Sequence, residues 1–260
     1  MKILLFYMSH RQFREIAVSA AFASRFSKDL RSADIYLYCN NPKIPKQELE
    51  ALLAGFPNSN KELVHTSKNI GYYFGGMEAT ADSYPRFLEQ PYDWVIHIQT
   101  DVYITDEEKI LAALREADRK GAYFLSSPLF EVDAEAYTSD FFAWKPSLIP
   151  KEAFESYLDY SKQPGFIPEV FLYRMIHRLQ IPHHFVIRYR GRGWMREIDE
   201  LGLWHLHSTA RAEFYLRTGV YVPLGRYKTV ENFFRRQYRR VFPKVRLQRG
   251  PDGSPPVSQA

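Results

Sequence analysis

The chain has 260 residues and a mass of 30.6 kDa, which suffices for one large α/β domain or two small ones. Its one cysteine, Cys39, excludes an internal disulfide and any metal site built from several cysteines. The short apolar start is followed at once by charges, and no apolar stretch reaches roughly 18 residues, so we expect neither a signal peptide nor a membrane span. The sequence therefore predicts a cytoplasmic protein.

The net charge of +5 is unevenly distributed along the chain. Residues 208–260 contain 11 Lys or Arg against 3 Asp or Glu, so this segment carries +8 and the remainder carries −3. The basic character therefore belongs to the C-terminal segment and not to the body of the protein.

Apolar segments that are typical of strands alternate with segments of helical periodicity along the first half of the chain. Strands are predicted at 2–7, 34–38, 63–65, 94–98 and 122–125, and helices at 9–30, 46–53 and 106–119. We expect capping boxes at the helix starts, one from Ser9 with Gln12 and one within Thr105–Glu108. This alternation predicts a mostly parallel α/β sheet with right-handed crossovers.

The second half of the chain is less regular. Strands are predicted at 140–144, 185–190 and 203–207, and helices at 151–158, 169–179 and 230–241. The sequence contains neither an internal repeat nor a clear linker. The simplest organisation is one domain over 1–225, a basic amphipathic extension over 226–249 and a disordered Pro/Gly/Ser-rich tail over 250–260.

The most informative segment is DWVIHIQTDVYI, in which a buried strand ends at Gln99-Thr100-Asp101. A carboxylate at the exit of a central strand lies where open α/β sheets bind ligands. Asp101 could hold a divalent cation against a phosphate, because hard cations accept oxygen ligands from both groups. Taken alone, Asp101 fits equally well as a residue that only starts a turn.

A glycine-rich segment, HTSKNIGYYFGG, follows the predicted third strand. Gly71 would let the backbone approach a ligand closely, and Asn69 offers both a donor and an acceptor. The spacing matches neither the dinucleotide-binding fingerprint nor the phosphate loop, and an ordinary glycine-rich turn is the alternative.

A strand followed by Asn69-x-Gly71, and then a second strand ending in an Asp-containing triplet, resembles the nucleotide-sugar glycosyltransferases of the GT-A fold, and family 2 in particular. The resemblance implies a Rossmann-like, mixed, mostly parallel sheet flanked by helices, and a UDP- or GDP-type sugar donor bound by Asn69, Gly71, Thr100 and Asp101. In that family the triplet is usually DxD and binds Mn²⁺ or Mg²⁺. Here Gln99 replaces the first carboxylate, while Asp101 keeps the position that contacts the metal.

Glu169 follows Pro168 at the start of an amphipathic helix. The resemblance implies that such a carboxylate deprotonates the acceptor hydroxyl, which would make Glu169 the base of an inverting transfer. The alternative is a first-turn Glu that only complements the helix dipole, an effect of about 0.5 kcal/mol.

Two late histidines, His205 and His207, alternate on one face of a predicted strand. The resemblance implies that one of them is a metal or diphosphate ligand, and paired imidazoles would favour Mn²⁺. A buried structural histidine is the alternative, and the sequence does not choose between the two residues.

Arg192 lies in a Gly-Arg-Gly segment that could close over a diphosphate, or form a solvated basic hairpin.

Three further residues are predicted to bind substrate. Asp140 and Trp144 could hold a saccharide acceptor through hydrogen bonds and ring stacking, although their segment also fits a core strand. Asp34 could contact the nucleobase of the donor from the end of its strand.

The basic extension combines an apolar stripe with four arginines, Arg235, Arg236, Arg239 and Arg240. Such a helix fits an anionic membrane surface at the inner face of the membrane, and hence a lipid-linked or surface polysaccharide acceptor. Docking on the body of the protein is the alternative, and nucleic acid is a disfavoured partner. Three functions thus compete: a glycosyltransferase, which the ordered motifs favour, a nucleotidyltransferase, and a non-enzymatic RNA- or membrane-binding module.

Overall fold

The structure is a computed structural model that describes residues 1–10, 13–68, 75–128, 136–160, 167–188, 198–205 and 209–219. In chain order its strands are β1 (Ile3–Ser9), β2 (Asp34–Cys39), β3 (Lys61–His65), β4 (Trp94–Gln99), β5 (Val102–Ile104), β6 (Phe124–Ser126), β7 (Phe141–Trp144), β8 (His183–Phe185) and β9 (Leu203–His205). The predicted domain boundaries at 225 and 249 lie outside the described residues and stay predictions.

Helices connect these strands. They are α1 (Phe13–Phe26), α2 (Lys46–Ala54), α3 (Gly75–Glu89), α4 (Glu107–Arg119), α5 (Lys151–Glu155), α6 (Tyr157–Tyr160), α7 (Pro168–Arg178) and α8 (Thr209–Thr218), with a 3₁₀-helix at Asp29–Ser32. Within the described ranges, none of these helices is long and apolar enough to cross a membrane.

The main sheet has seven strands in the order β3-β2-β1-β4-β7-β6-β8. Strand β7 pairs antiparallel with both β4 and β6, whereas the other neighbouring pairs are parallel. The carboxyl ends of β1 to β4 and the amino end of β7 therefore lie along one border of the sheet, which we call the carboxyl edge. A mixed, mostly parallel sheet flanked by helices was the predicted fold class, and it is confirmed.

Both faces of the sheet are covered, which explains the nearly continuous apolar runs of its central strands. On β4, Trp94, Ile96 and Ile98 pack into one core with α1 and α4. Val95 belongs to a second core on the opposite face, which includes residues of α3 and α7. Strand β4 is thus fixed on both sides, and its last residue, Gln99, is held at the carboxyl edge.

Strands β5 and β9 form a separate antiparallel ribbon. Its register pairs Val102 with His205, which brings His205 next to Asp101 in space. Gly202, just before β9, has a φ of +69°, and a Cβ at this position would lie 2.5 Å from Asp106. Only glycine therefore fits the turn that starts β9.

The predicted capping boxes are wrong. Ser9 is the last residue of β1, and Gln12 lies outside the described residues. At α4, the Thr105 hydroxyl donates to the Gly202 carbonyl oxygen at 2.7 Å, and the helix begins at Glu107 without a side-chain cap. The Glu107 carboxylate instead accepts backbone N–H bonds from the 3₁₀-helix, including that of Leu30 at 2.9 Å. At the start of α4, tertiary contacts made by Thr105 and Glu107 therefore take the place of the predicted local cap.

Candidate active site

Two carboxylates and an imidazole meet at the carboxyl edge. Asp101 follows β4, Asp140 precedes β7, and His205 ends β9. Nδ1 of His205 lies 3.1 Å from Oδ2 of Asp140, and Nε2 lies 3.7 Å from Oδ2 of Asp101. The His205 ring thus lies between the acidic side chain that follows β4 and the one that precedes β7.

Arg188 also belongs to this group, and its side chain is fully buried. Its Nη1 atom lies 2.8 Å from both carboxylate oxygens of Asp140, and its Nε atom donates to Asp199. Asp199 in turn accepts the backbone N–H groups of Leu201 and Leu203 through Oδ1, at 2.8 and 3.0 Å. Arg188 therefore connects the start of β7 to the turn that positions β9 and His205.

The charges in this group shift two pKa values. Burial alone would raise the pKa of the Asp140 carboxyl, but Arg188 and His205 outweigh it and hold that pKa well below its ordinary value. Burial alone would lower the pKa of His205, but the carboxylates of Asp140 and Asp101 raise it to about 10. With only these neighbours, His205 is a protonated imidazolium between two carboxylates at neutral pH.

This donor set fits a divalent cation in part. Among the described residues, no group of three or more His, Cys, Asp or Glu side chains is arranged to hold a metal ion. Asp101 and His205 nevertheless face one another and could supply two ligands, with the remaining ones taken from substrate phosphates, as Mg²⁺ sites often do. A cation would compete with the proton on His205, because only a neutral imidazole binds a metal.

Glu169 is held at the same edge by a short chain of hydrogen bonds. The Ser139 hydroxyl donates to Oε1 of Glu169 at 2.6 Å, and the Gln99 carboxamide donates to the Ser139 carbonyl oxygen at 3.3 Å. The backbone N–H of Gln99 donates to the Asp140 carbonyl oxygen at 2.9 Å. A carboxylate at position 99 could not donate to Ser139, so Gln99 has a positioning role that an Asp would lose.

Several predicted residues lie elsewhere. Asp34 starts β2, so it lies at the opposite edge of the sheet, where Asn60 and Tyr92 donate to its carboxylate at 2.9 and 2.7 Å. Asp34 therefore lies apart from the other candidate donor residues, and this placement argues against its predicted contact with the nucleobase. Trp144 ends the antiparallel strand β7, also at the opposite edge, and its fully buried ring argues against the predicted stacking on a sugar.

Asp140 and Thr100 lie at the predicted edge, but in other settings than those expected. The Asp140 carboxylate is bound by Arg188 and His205, and these contacts do not support its predicted hydrogen bond to an acceptor hydroxyl. Thr100 is almost fully buried, and its carbonyl oxygen accepts a hydrogen bond from Ser19 at 2.9 Å. This burial does not support the predicted direct contact of Thr100 with a donor.

Asn69, Gly71, Arg192 and His207 lie outside the described residues, as does the basic extension. Their predicted roles in donor binding, metal binding and membrane contact stay predictions.

Sequence reasoning missed a polar network at the carboxyl ends of β1, β2 and β3. Nδ1 of His10 lies 2.8 Å from Oδ1 of Asn40, and the Asn41 side chain donates to the His10 carbonyl oxygen at 2.9 Å. Nε2 of His65 lies 2.8 Å from the Asn41 carbonyl oxygen. The signal in the sequence is the pair Asn40-Asn41 directly after a buried strand, which on its own also favours a turn. These side chains extend the polar carboxyl edge beyond Asp101.

His97 is the buried titratable group next to this site. Burial lowers its pKa from 6.5 to about 4, although the nearby Asp140 charge acts in the opposite direction. The unfolded chain therefore binds a proton between these pH values that the folded chain excludes, so stability is full above pH 6.5 and falls as the pH drops towards 4. In the wild type, protonation of His97 should cost roughly 3 kcal/mol of the free energy of unfolding over this pH range, and His97→Gln should lack this loss. Urea unfolding at several pH values measures the difference. If the free energy of unfolding changed with pH in the same way in the wild type and in His97→Gln, His97 would not be the cause of the loss in acid.

The chain is similar to known proteins in its fold and not in its sequence. No protein-family model and no curated protein sequence matches the chain. Among solved structures, it is similar to the mannosyltransferase PcManGT from Pyrobaculum calidifontis, solved with GDP-Man and Mn²⁺, with a TM-score of 0.50 and 8% identity over 72% of this chain and 55% of that one.

Two other solved structures give similar values. The glycosyltransferase GlyE of Streptococcus pneumoniae TIGR4 has a TM-score of 0.49 and 14% identity over 72% of this chain and 45% of that one. The apo form of mouse xyloside xylosyltransferase 1 has a TM-score of 0.49 and 11% identity over 80% of this chain and 98% of that one. The chain spans about half of the length of GlyE and PcManGT. At these identities the likeness concerns architecture alone, and the architecture of this chain is the GT-A fold.

Proposed function

We propose that this protein is a glycosyltransferase that moves a sugar from a nucleoside diphosphate donor to a saccharide acceptor. The observation that carries the proposal is the chain of contacts that connects Glu169 to Asp101 at the carboxyl edge. Glu169 is bonded to Ser139, and Ser139 adjoins Asp140, which binds the His205 ring that faces Asp101. A candidate base and a candidate phosphate anchor thus belong to one connected group in a fold whose ligands bind at this edge.

The proposed reaction is a direct displacement. The acceptor hydroxyl oxygen attacks the anomeric carbon, its proton passes to Glu169, and the nucleoside diphosphate leaves with the electrons of the broken glycosyl bond. Ser139 binds one carboxylate oxygen of Glu169 and fixes its direction, so that the other oxygen takes the proton. A single displacement of this kind inverts the anomeric configuration.

The donor diphosphate would lie between Asp101 and the glycine-rich segment. Asp101 and His205 would hold a divalent cation, Mn²⁺ or Mg²⁺, which neutralises charge on the leaving diphosphate when it is bound. PcManGT was solved with GDP-Man and Mn²⁺, which supports a nucleoside diphosphate sugar as the donor here, and a GDP- or UDP-type nucleotide is proposed. Asn69, Gly71 and Arg192 are proposed to complete the donor pocket. The acceptor is proposed to be a lipid-linked or surface polysaccharide, on the strength of the basic extension.

A thermal-shift panel tests the donor side directly. Because a ligand at about 100 times its Kd adds roughly 2.7 kcal/mol of stability, the matching nucleoside diphosphate or nucleotide sugar should raise Tm by about 5–10 °C. We expect Mn²⁺ to increase that rise, and Asp101→Asn to remove most of it.

Asp106→Asn is the matched control, because Asp106 is exposed and its ion pair is with Lys109. The control should keep the full nucleotide response. An unchanged response in Asp101→Asn would exclude Asp101 as the diphosphate anchor, and the absence of any nucleotide response in the wild type would contradict the proposed function as a whole.

A further inference from the structure

Five aromatic rings form a continuous group beside α7, which we call the ring cluster. Its members are Tyr137, Tyr173, His177, His183 and Phe185. Ring centroids are 4.3 Å apart for Tyr173 and His177, 5.3 Å for His177 and His183, and 4.5 Å for His183 and Phe185. The Tyr137 ring closes the group at 4.8 Å from Phe185 and 5.3 Å from Tyr173.

Tyr137 anchors the ring cluster from inside. Its side chain is buried, and its hydroxyl oxygen lies 2.8 Å from Nε2 of His177, a hydrogen-bond distance. The other rings reach the surface: His177 and Phe185 are exposed, and Tyr173 and His183 are half-buried. The ring cluster is therefore a surface whose shape is fixed by contacts among its own members. Exposed aromatic side chains that are ordered in this way are a common feature of binding sites.

The ring cluster adjoins the candidate base. The backbone N–H of Tyr137 donates to the carbonyl oxygen of Glu169 at 3.0 Å, and the Ser139 hydroxyl, two residues further on, binds the Glu169 carboxylate. On α7, Tyr173 and His177 follow Glu169 by one and two helical turns, and residues four apart are neighbours on a helix surface. A path along α7 thus leads from the Glu169 carboxylate onto the rings.

The chemistry of the ring cluster selects the ligand. None of its five members carries a permanent charge, and burial lowers the pKa of His177, which favours the neutral imidazole. Arg178, the neighbour of His177, is bonded instead to the Tyr160 hydroxyl at 3.2 Å. A neutral surface of ring faces with a few hydrogen-bonding edges matches a pyranose ring, which presents C–H groups on its faces and hydroxyls around its rim. None of its five side chains is a guanidinium or an ammonium group that could pair with a phosphate.

We propose that the ring cluster is an acceptor subsite that binds neutral pyranose units of a glycan chain next to the unit whose hydroxyl faces Glu169. This inference rests on the proposed function, and it adds the class of acceptor: an oligosaccharide or polysaccharide of more than one neutral sugar. His177 follows Glu169 by two helical turns, about 11 Å along α7, so the further rings would contact sugar units beyond the one at Glu169.

The test measures glycan binding apart from catalysis. Saturation-transfer NMR is recorded on the full chain with UDP or GDP present, using four hexasaccharide probes: maltohexaose, cellohexaose, chitohexaose and mannohexaose. We expect at least one of them to bind. Tyr173→Ala and Phe185→Ala should each weaken that binding about tenfold, in line with the loss of one stacked ring.

His184→Ala is the matched control, because His184 neighbours His183 on β8 but lies near Lys120 and outside the ring cluster. The control should bind the probe as the wild type does. The nucleotide-induced rise in Tm should persist in all three variants, which shows that each one is folded. If an alanine variant loses this rise in Tm, the leucine variant at the same position, Tyr173→Leu or Phe185→Leu, is used in its place. Leucine keeps apolar volume but has no ring.

Three results would overturn the inference while the proposed function stands. The nucleotides could stabilise the protein while none of the four probes binds. A probe could bind equally well to the wild type and to both ring variants. Light scattering could show a dimer that Phe185→Ala converts to a monomer, which would make the ring cluster an interface between two copies. Loss of the nucleotide response in the wild type would instead contradict the proposed function itself.

Discussion

Glu169→Gln is expected to slow sugar transfer by about 10²- to 10⁴-fold, the usual contribution of a general base. The carboxamide keeps the size of the side chain and can still accept the hydrogen bond from Ser139, but it cannot take the proton of the acceptor hydroxyl. The nucleotide-induced rise in Tm should be unchanged, because Glu169 does not belong to the donor side. The measurement is the initial rate of nucleoside diphosphate release at saturating donor and acceptor.

Glu152→Gln is the matched control for this variant. Glu152 lies in the first turn of α5, whose N-cap is Pro150, and its side chain is exposed. It therefore reports what a first-turn carboxylate contributes through the helix dipole alone, and we expect full activity. Full turnover in Glu169→Gln would remove the base assignment and leave the fold untouched.

The central strands of the main sheet, β1, β2 and β4, could be predicted because their composition reflects their burial. Strand β4 carries apolar residues on both faces, and its predicted range, 94–98, differs from the observed one only at Gln99. Strands β1 and β2 likewise carry apolar side chains that fill two cores. At the edge of the sheet, β8 overlaps the predicted strand at 185–190 only at Phe185. The helix at Glu169 could be predicted because a proline in the first turn and an amphipathic pattern agree.

The ribbon of β5 and β9 could not be predicted in the same way. Each strand has three residues, and their pairing joins segments about a hundred positions apart, such as Val102 with His205. Strand β5 has no periodic signal of its own, since it follows β4 after two residues. The proximity of His205 to Asp101 depends on that pairing, so it could be inferred only from the family resemblance.

Polar residues were misjudged where burial decides their role. Asp140 looked like a surface carboxylate because nothing in its neighbourhood along the chain reveals the buried Arg188, 48 positions away. Trp144 looked like a stacking residue, although the antiparallel direction of β7 carries it to the other edge of the sheet. In both cases the missing information was strand direction and long-range pairing, which local periodicity does not contain.

Arg188→Leu should have the largest effect on stability, a loss of roughly 3–5 kcal/mol, because it removes one partner of a buried ion pair. The substitution leaves the carboxylates of Asp140 and Asp199 buried without their shared cation. Because folded domains are stable by only about 5–15 kcal/mol, a large part of the fold's stability depends on this guanidinium. Urea unfolding followed by tryptophan fluorescence measures the change.

The matched control is Arg119→Leu, which breaks an exposed ion pair with Glu116 on α4 and should leave the urea midpoint unchanged. Adding Asp199→Asn to Arg188→Leu removes the Asp199 carboxylate, which has lost its cation whereas Asp140 keeps the His205 imidazolium, and should recover part of the lost stability. Equal urea midpoints for Arg188→Leu and Arg119→Leu would show that Arg188 is not needed to compensate these carboxylates.

Because Asp199 shapes the turn before β9, Arg188→Leu should also loosen His205, and the nucleotide response should weaken in the folded fraction. Arg188 would then act on donor binding as a positioning residue, through the same ion pairs that hold the fold together.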